Sequence, residues 1–528
     1  MRDSLGGRAS LAAGLLGLSV VTGPVGATAA CHSSCRQQLI ECKRTCAGSA
    51  KARRDCRAAC AKRSTCTAPG ARIRTLAYVV NDCTTDPQGR SSLKQKLLIR
   101  RGNCDPVPVV EFGPSTPVPN SSGLCRNLGV FRHGTVFVSD PAYEGDSSHT
   151  SIGVFQAMAV LPDGSGVVFD VTKQFSAIPA LTPEPAEEGI FFVRADGKGL
   201  QRLGPASRVP TASGSSLWGV SPDGRRIAFI DLGRARARYE APQVFLLDPR
   251  SGQRLQCTHQ GRVAMLSIGD PGIWLQTFLD NRTIGFYAGP SDTIRAFQVK
   301  AEPVRARLAN VRCSPEKESP PITVASGAHI VSQFAVTAAH PHAVVGNFPG
   351  RPAEDLPGEH AREVFLIDGK DILQLTAFNR SDTSPGGDAA AGLIIGDRVL
   401  FLASTNRLGE NQHEICQLFS IGTLGQDLRQ LTHLPWDGRP SPLGCVYAFP
   451  GCGIAQSTAA DQVTGTVLFS ASCDPVGANP FGEQIFAMRP DGTGLRQLTN
   501  ARGMTTDPDG TVHVEIPGPF AYSSRAGG

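Results

Sequence analysis

Cysteine is the side chain whose type and spacing say most about chemistry here. Ten of the sixteen lie before residue 126, at 31, 35, 42, 46, 56, 60, 66, 83, 104 and 125; the others are 257, 313, 416, 445, 452 and 473. Cys31/Cys35, Cys42/Cys46 and Cys56/Cys60 are each separated by three residues. At about 100° per residue, cysteines 31, 35, 42 and 46 fall on one stripe of one helix. The positions between them hold Ala, Lys, Arg and Gln, good helix formers. Gly48 and Ser49 break that helix, and Cys56/Cys60 open a second. Folded back as an antiparallel hairpin, the two would oppose Cys46 to Cys56, Cys42 to Cys60 and Cys35 to Cys66. The spacing therefore predicts a ladder of disulfides. The competing chemistry is thiolate binding of copper or zinc. An exported chain would oxidise such thiols, and His32 is the only histidine beside them.

Other residues of reactive type are scattered. No G-x-S-x-G nucleophile elbow, phosphate-binding P-loop or H-E-x-x-H zinc motif is present. His340-Pro341-His342 could reach a metal, but the proline between them reads better as a turn. Asp507-Pro508-Asp509-Gly510 lacks the remaining spaced oxygens of a calcium loop and also reads as a turn. Asp163, Asp223 and Asp491 sit in equivalent turn positions. Trp218 could face a channel, with core packing the plainer assignment. The expectation is no catalytic residue, no metal ligand and no cofactor.

The elements that must position these residues begin with an export signal. Arg2 and Arg8 precede the apolar run Leu11–Val21, and the small residues Ala27-Thr28-Ala29-Ala30 follow. This is the order of a cleaved signal peptide over 1–30; an uncleaved N-terminal anchor is an alternative. Cys31 directly after it raises a second one, a lipoprotein anchored there. No later run is apolar enough to span a bilayer, so the expected localisation is periplasmic or secreted, where disulfides persist. Residues 31–74 carry eleven Lys/Arg against Glu41 and Asp55, a local net of +9 in a chain of +6. That segment could contact an acidic surface. It has no stacking aromatics between the basic residues, so nucleic acid is not an expected partner.

From about residue 72 onward, short β-rich runs alternate with turns and recur about every 60 residues. One unit runs Ser221-Pro222-Asp223-Gly224, Ile227-Ala228-Phe229-Ile230-Asp231, Gln243-Val244-Phe245-Leu246-Leu247-Asp248, then Gln256-Cys257-Thr258. Gln484–Met488 with Gln497–Thr499, Glu363–Asp368 with Gln374–Thr376, and Gln417–Ile421 with Gln430–Thr432 repeat it. Pro-Asp-Gly joins strands tightly, with glycine where positive φ is needed. This pattern resembles the WD40-like, TolB-type (PD40) β-propeller repeat over roughly 150–500. The α/β domain that TolB proteins place before their propeller is not seen in this sequence. The resemblance implies an all-β propeller whose small sheets stack around an axis. Seven hairpins favour seven blades; six, with 72–150 as a separate cap, is the alternative. A first hairpin, 75–81 with 95–100, lacks an inner strand that 511–516 could supply. In this reading Cys416 and Cys473 share a rim and could bond, Cys445 and Cys452 could close a loop, and Cys83 and Cys104 lie too far apart.

The expected organisation is a signal peptide (1–30), a small basic disulfide-stapled helical hairpin (31–70) and a propeller (72–520). The expected function is an exported, non-enzymatic module binding an unknown protein or peptide. The alternative is a lyase or hydrolase with its site in the central channel.

Overall fold

The computed structural model describes residues 73–121 except 103, Cys125, residues 153–209 except three between 175 and 178, and residues 218–259 except 236–239. From 274 to 524 it describes the strands and their adjoining turns; before 73 it describes Ser49, Lys51, Arg53 and Cys56. The described residues are almost wholly β, in antiparallel sheets arranged as a propeller.

Five sheets are up-and-down, four-stranded blades, at 155–204, 219–256, 329–374, 390–430 and 454–497. Seven such units, or six, are expected from the repeat; five have this form. The other two sheets are built differently. One joins the two ends of the described chain, in the order Val107–Phe112, Ser91–Arg101, Ile73–Thr85, Val512–Ser524, Gly503–Thr506. The predicted completion of the first hairpin by the C-terminal stretch is therefore present, as a strand that pairs from Val512 to Ser524. The second, 274–323, has six strands. Its long strand Thr293–Pro303 meets three short ones, Val311–Cys313, Lys317–Glu318 and Ile322–Thr323, where a regular blade has one. Its sequence is the degenerate copy of the repeat, without the Gln and Thr that fix an outer strand elsewhere.

The repeated phenylalanines are cross-strand pairs. Phe169 opposes Phe191, Phe229 opposes Phe245, Phe401 opposes Phe419, and Phe469 opposes Phe486. Their ring centroids lie 5.7 to 5.9 Å apart, a separation at which aromatic pairs attract beyond their burial. The apolar clusters lie between sheets, because a lone small sheet cannot cover both of its faces. Val79 and Leu97 of the terminal sheet pack on Phe155 and Phe169. Val168 and Phe169's neighbours continue into Ile227 and Leu247 of the next blade. At the other end, Leu468, Ile485 and Ala487 pack back on Leu76 and Tyr78.

Two disulfides are described. Cys83 bonds Cys125, not Cys104, and ties the loop after the third strand to the terminal sheet. Cys257 bonds Cys313 and links blade 219–256 to the six-stranded sheet. Neither pairing follows from spacing, since both join residues brought together by packing. Cys56, Cys104 and Cys416 are also disulfide-bonded. Of the predicted ladder and loop, Cys35, Cys42, Cys46, Cys60, Cys66, Cys445, Cys452 and Cys473 lie outside the described residues. Lys51, Arg53 and Cys56 are helical, and the Arg53 N–H donates to the Ser49 carbonyl at 2.9 Å. A stapled two-helix hairpin is not supported beyond that single turn.

Candidate functional site

The polar residues that the repeat supplies most regularly are consumed by the fold. In blade 219–256 the Thr258 hydroxyl donates to Gln243 Oε1 at 2.8 Å and accepts from the Val244 N–H at 2.9 Å. Gln256 Nε2 donates to the Thr258 carbonyl. The same clamp recurs as Gln417, Gln430 and Thr432, and as Gln484, Gln497 and Thr499. In blade 329–374 a carboxylate takes the glutamine's place. Glu363 is fully buried and accepts from the Thr376 hydroxyl at 2.5 Å and the Phe378 N–H at 2.7 Å. The motif Q-x-F with Q-x-T thus binds the third strand to the fourth and to the chain leaving the blade.

The turn aspartates are likewise structural. Asp163, Asp223 and Asp491 each accept from the N–H two residues on, at 2.9, 3.1 and 2.9 Å. Gly164 and Gly224 hold φ of 68° and 67°, which a side chain resists. Hydrogen bonds from Thr493 hold the Asp491 carboxyl below the usual carboxylate range. Asp507–Gly510 is a turn of the same kind, with Thr511 N donating to Asp509. His340 and His342 lie outside the described residues. Trp218 is core: it packs 5.3 Å from Phe229. Among the described residues no three His, Cys, Asp or Glu converge as a metal site would need.

These turns do form a continuous edge. Arg74 donates to the Asp163 carbonyl, and the Thr75 hydroxyl to the Gly164 carbonyl at 2.9 Å. Gly224 lies against Pro162. The Asp223 N–H donates to Asn281 Oδ1 at 2.8 Å, and Arg226 to the Asn281 carbonyl at 3.2 Å. The first strand of the terminal sheet and the first turns of two blades and of the six-stranded sheet are so joined. The aspartates accept from backbone N–H groups and are exposed, as are Arg74, Arg225, Arg250 and Arg282, with Arg225 3.9 Å from Asp223. Burial lowers the Arg226 guanidinium, opposed by Asp223 and reinforced by Arg282 and Arg225. The edge is a rim of cross-linked turns on which arginines and aspartates are both exposed.

A second charged cluster lies toward the other end of the same strands, in the seam between blades 155–204 and 219–256. The link between the blades is tied to both. The Ser207 N–H donates to Asp170 Oδ2 at 3.2 Å, and the Arg208 N–H to Asp231 Oδ1 at 2.8 Å. Asp231 Oδ2 also accepts from Arg254, whose guanidinium lies 4.8 Å above the Phe229 ring. Arg208 forks onto Glu240 at 3.1 Å. Burial drives the Asp170 carboxyl up to about 8, reinforced by Asp231 and opposed by Ser207 and Arg254. Its Oδ1 is buried with no partner among the described residues. A buried carboxyl that keeps its proton at neutral pH is a group acid–base chemistry can use. Asp170 is 1% and Asp231 4% exposed, so no substrate atom reaches either in this structure. Sequence reasoning saw these residues only as strand ends, because their partners come from a different blade.

No family model matches the chain, and no curated protein does. Solved structures similar in fold include an acylaminoacyl peptidase from Pyrococcus horikoshii, at 10% identity and a TM-score of 0.39, over 81% of this chain and 51% of that one. A puromycin-hydrolyzing peptidase from Mycobacterium tuberculosis gives 12% and 0.39, over 87% and 62%. An oligogalacturonate lyase from Vibrio parahaemolyticus gives 10% and 0.37, over 78% and 91%. The chain spans half to three fifths of the length of the peptidases it matches.

Proposed function

We propose that this is an exported, non-enzymatic β-propeller with TolB-type, WD40-like repeats, and that it binds an acidic stretch of a protein or peptide on the rim of linked turns. The observation that carries this is the set of exposed arginines on cross-linked turns. Its exposed arginines, Arg225, Arg250 and Arg282 among them, stand on turns bonded to one another, so little ordering entropy is lost on docking. The basic segment 31–74 is the natural tether or second contact. Cys83–Cys125 and Cys257–Cys313 fit an oxidising compartment, periplasmic or extracellular. No helix among the described residues is long and apolar enough to cross a membrane.

The alternative, a lyase or hydrolase, has one specific observation in its favour: the carboxyl of Asp170, raised by burial and lying near Asp231. Their burial stands against it.

The test is cross-linking from the rim in envelope extracts, comparing the full chain with a double variant, Arg225→Glu and Arg282→Glu. A partner captured by the wild type and lost on charge reversal is expected. Capture that is indifferent to the reversal would reject the rim as the contact.

A further inference from the structure

Cys104 is disulfide-bonded, and its partner is none of Cys83, Cys125, Cys257 and Cys313, which are taken up in the two described pairs. Seven cysteines lie from 31 to 66. An odd number cannot pair wholly within one segment, so one of them takes a partner elsewhere or stays a free thiol. Cys416, Cys445, Cys452 and Cys473 are an even set. Cys416 is buried in the apolar cluster between blades 390–430 and 454–497, and Cys473 comes two residues after Ala471 of that same cluster. The cluster is built from those two blades and their adjoining turns.

Cys104 stands elsewhere. It lies in the turn that follows Ser91–Arg101, half-buried, and its N–H donates to the Arg101 carbonyl at 2.9 Å. Arg101 is paired with Thr75, and the Gly102 N–H donates to the Arg74 carbonyl at 2.9 Å. The turn therefore abuts the first residues of the strand Ile73–Thr85, where the basic segment joins the sheet. A disulfide needs Cα atoms roughly 4.4 to 6.8 Å apart. The seven residues from Cys66 to Ile73 span up to about 23 Å when extended, ample for a cysteine of the segment to reach Cys104. Arg74 and Thr75 also bond the turn at Asp163 and Gly164, so Cys104 lies beside the rim of linked turns.

We infer that Cys104 is bonded to a cysteine of the segment 31–66, and that this bond staples the basic segment to the rim. The chemistry is the oxidation of two thiols. Two S–H bonds break, one S–S bond forms, and two electrons and two protons pass to the disulfide of a thiol oxidant of the oxidising compartment, which leaves as a dithiol. Six cysteines then remain in the segment, a number that can pair within it. Held there, residues 31–74 bring a local net of +9 to a rim whose own exposed arginines stand beside exposed aspartates. The bond does not depend on the acidic partner proposed for that rim.

The experiment is disulfide mapping of the full wild-type chain by mass spectrometry. Free thiols are blocked first, and the unreduced protein is cut with trypsin and a glutamate-specific protease, which separates Cys104 from Cys125 at Glu111. A peptide carrying Cys104 should be joined to one drawn from 31–66 and should part from it on reduction. Cys104 joined to Cys416, Cys445, Cys452 or Cys473, or found alkylated, would overturn the staple. Limited tryptic cleavage at Arg72 or Arg74 gives a second reading that needs no variant. The N-terminal fragment should stay with the propeller on a non-reducing gel and leave it with dithiothreitol; departure without reductant would reject the bond. In Cys104→Ser the newly alkylated thiol should fall within 31–66, and a new thiol outside that segment would count equally against the assignment.

Discussion

Asp170 shows how one residue's environment sets its chemistry. In the unfolded chain its carboxyl titrates near 3.8, and in the seam burial lifts it to about 8. The folded state then holds a proton that the unfolded state has released. Stability contributed by this group is complete below the unfolded value and declines as pH rises through the window from about 4 to about 8. Each unit of separation is worth about 1.4 kcal/mol, so the loss across the window amounts to several kcal/mol. Asp170→Asn keeps an oxygen for the Ser207 N–H and cannot ionise. The variant should unfold at higher urea than wild type at pH 8, with the gap narrowing toward pH 5. An unchanged gap would show that Asp170 titrates normally. The sequence displays Asp170 only as the end of Val167-Val168-Phe169-Asp170, since Ser207, Asp231 and Arg254 meet it across a seam.

At the scale of the element, the Gln–Thr clamp explains why the repeat is recognisable at all. Glutamine offers an acceptor to the threonine hydroxyl and a donor to the departing chain, as Gln484 does toward Thr499 and the Ala501 carbonyl. Replacing Thr499 by Val removes two buried hydrogen bonds and leaves Gln484 Oε1 and the Ile485 N–H each short of a partner. A loss of about 2 kcal/mol is expected. Glu363→Gln restores the repeat's own residue and replaces a buried carboxylate with a neutral amide. It should hold or raise stability, read as the urea midpoint at pH 7. A substantial fall would assign Glu363 a role beyond the clamp. Both motif glutamines and the threonine were legible as a pattern; their job was not, because the pattern is indifferent to which side chain accepts.

Across the whole molecule, the strand Val512–Ser524 is the closing element. It pairs with Ile73–Thr85 over nearly the full length of both, while Gly503–Thr506 flanks it. Val514 and Ile516 are buried with Leu93, Cys83 and Cys125. Ending the chain at 511 would strip one side of the first strand and open a long apolar edge. The truncated protein should lose a single cooperative melt and gain protease cuts within 73–112. Retention of wild-type cooperativity would mean that the sheets stand without closure. The rim belongs to this scale too, since its bonds run from one sheet's turn to the next.

The sequence by itself determined what is local: short strands, their Pro-Asp-Gly turns, and the C-terminal strand that completes the first hairpin. Period and residue type suffice there, because neighbours in the chain are neighbours in the sheet. Tertiary structure alone decided what lies between sheets. It placed Cys83 against Cys125 and Cys257 against Cys313, gave five of the sheets among the described residues the regular four-stranded form, and brought Asp170 to Asp231 and Arg100 to Arg496. Those pairs join residues far apart in the chain, and the seam geometry that unites them leaves no periodic trace in the amino-acid order.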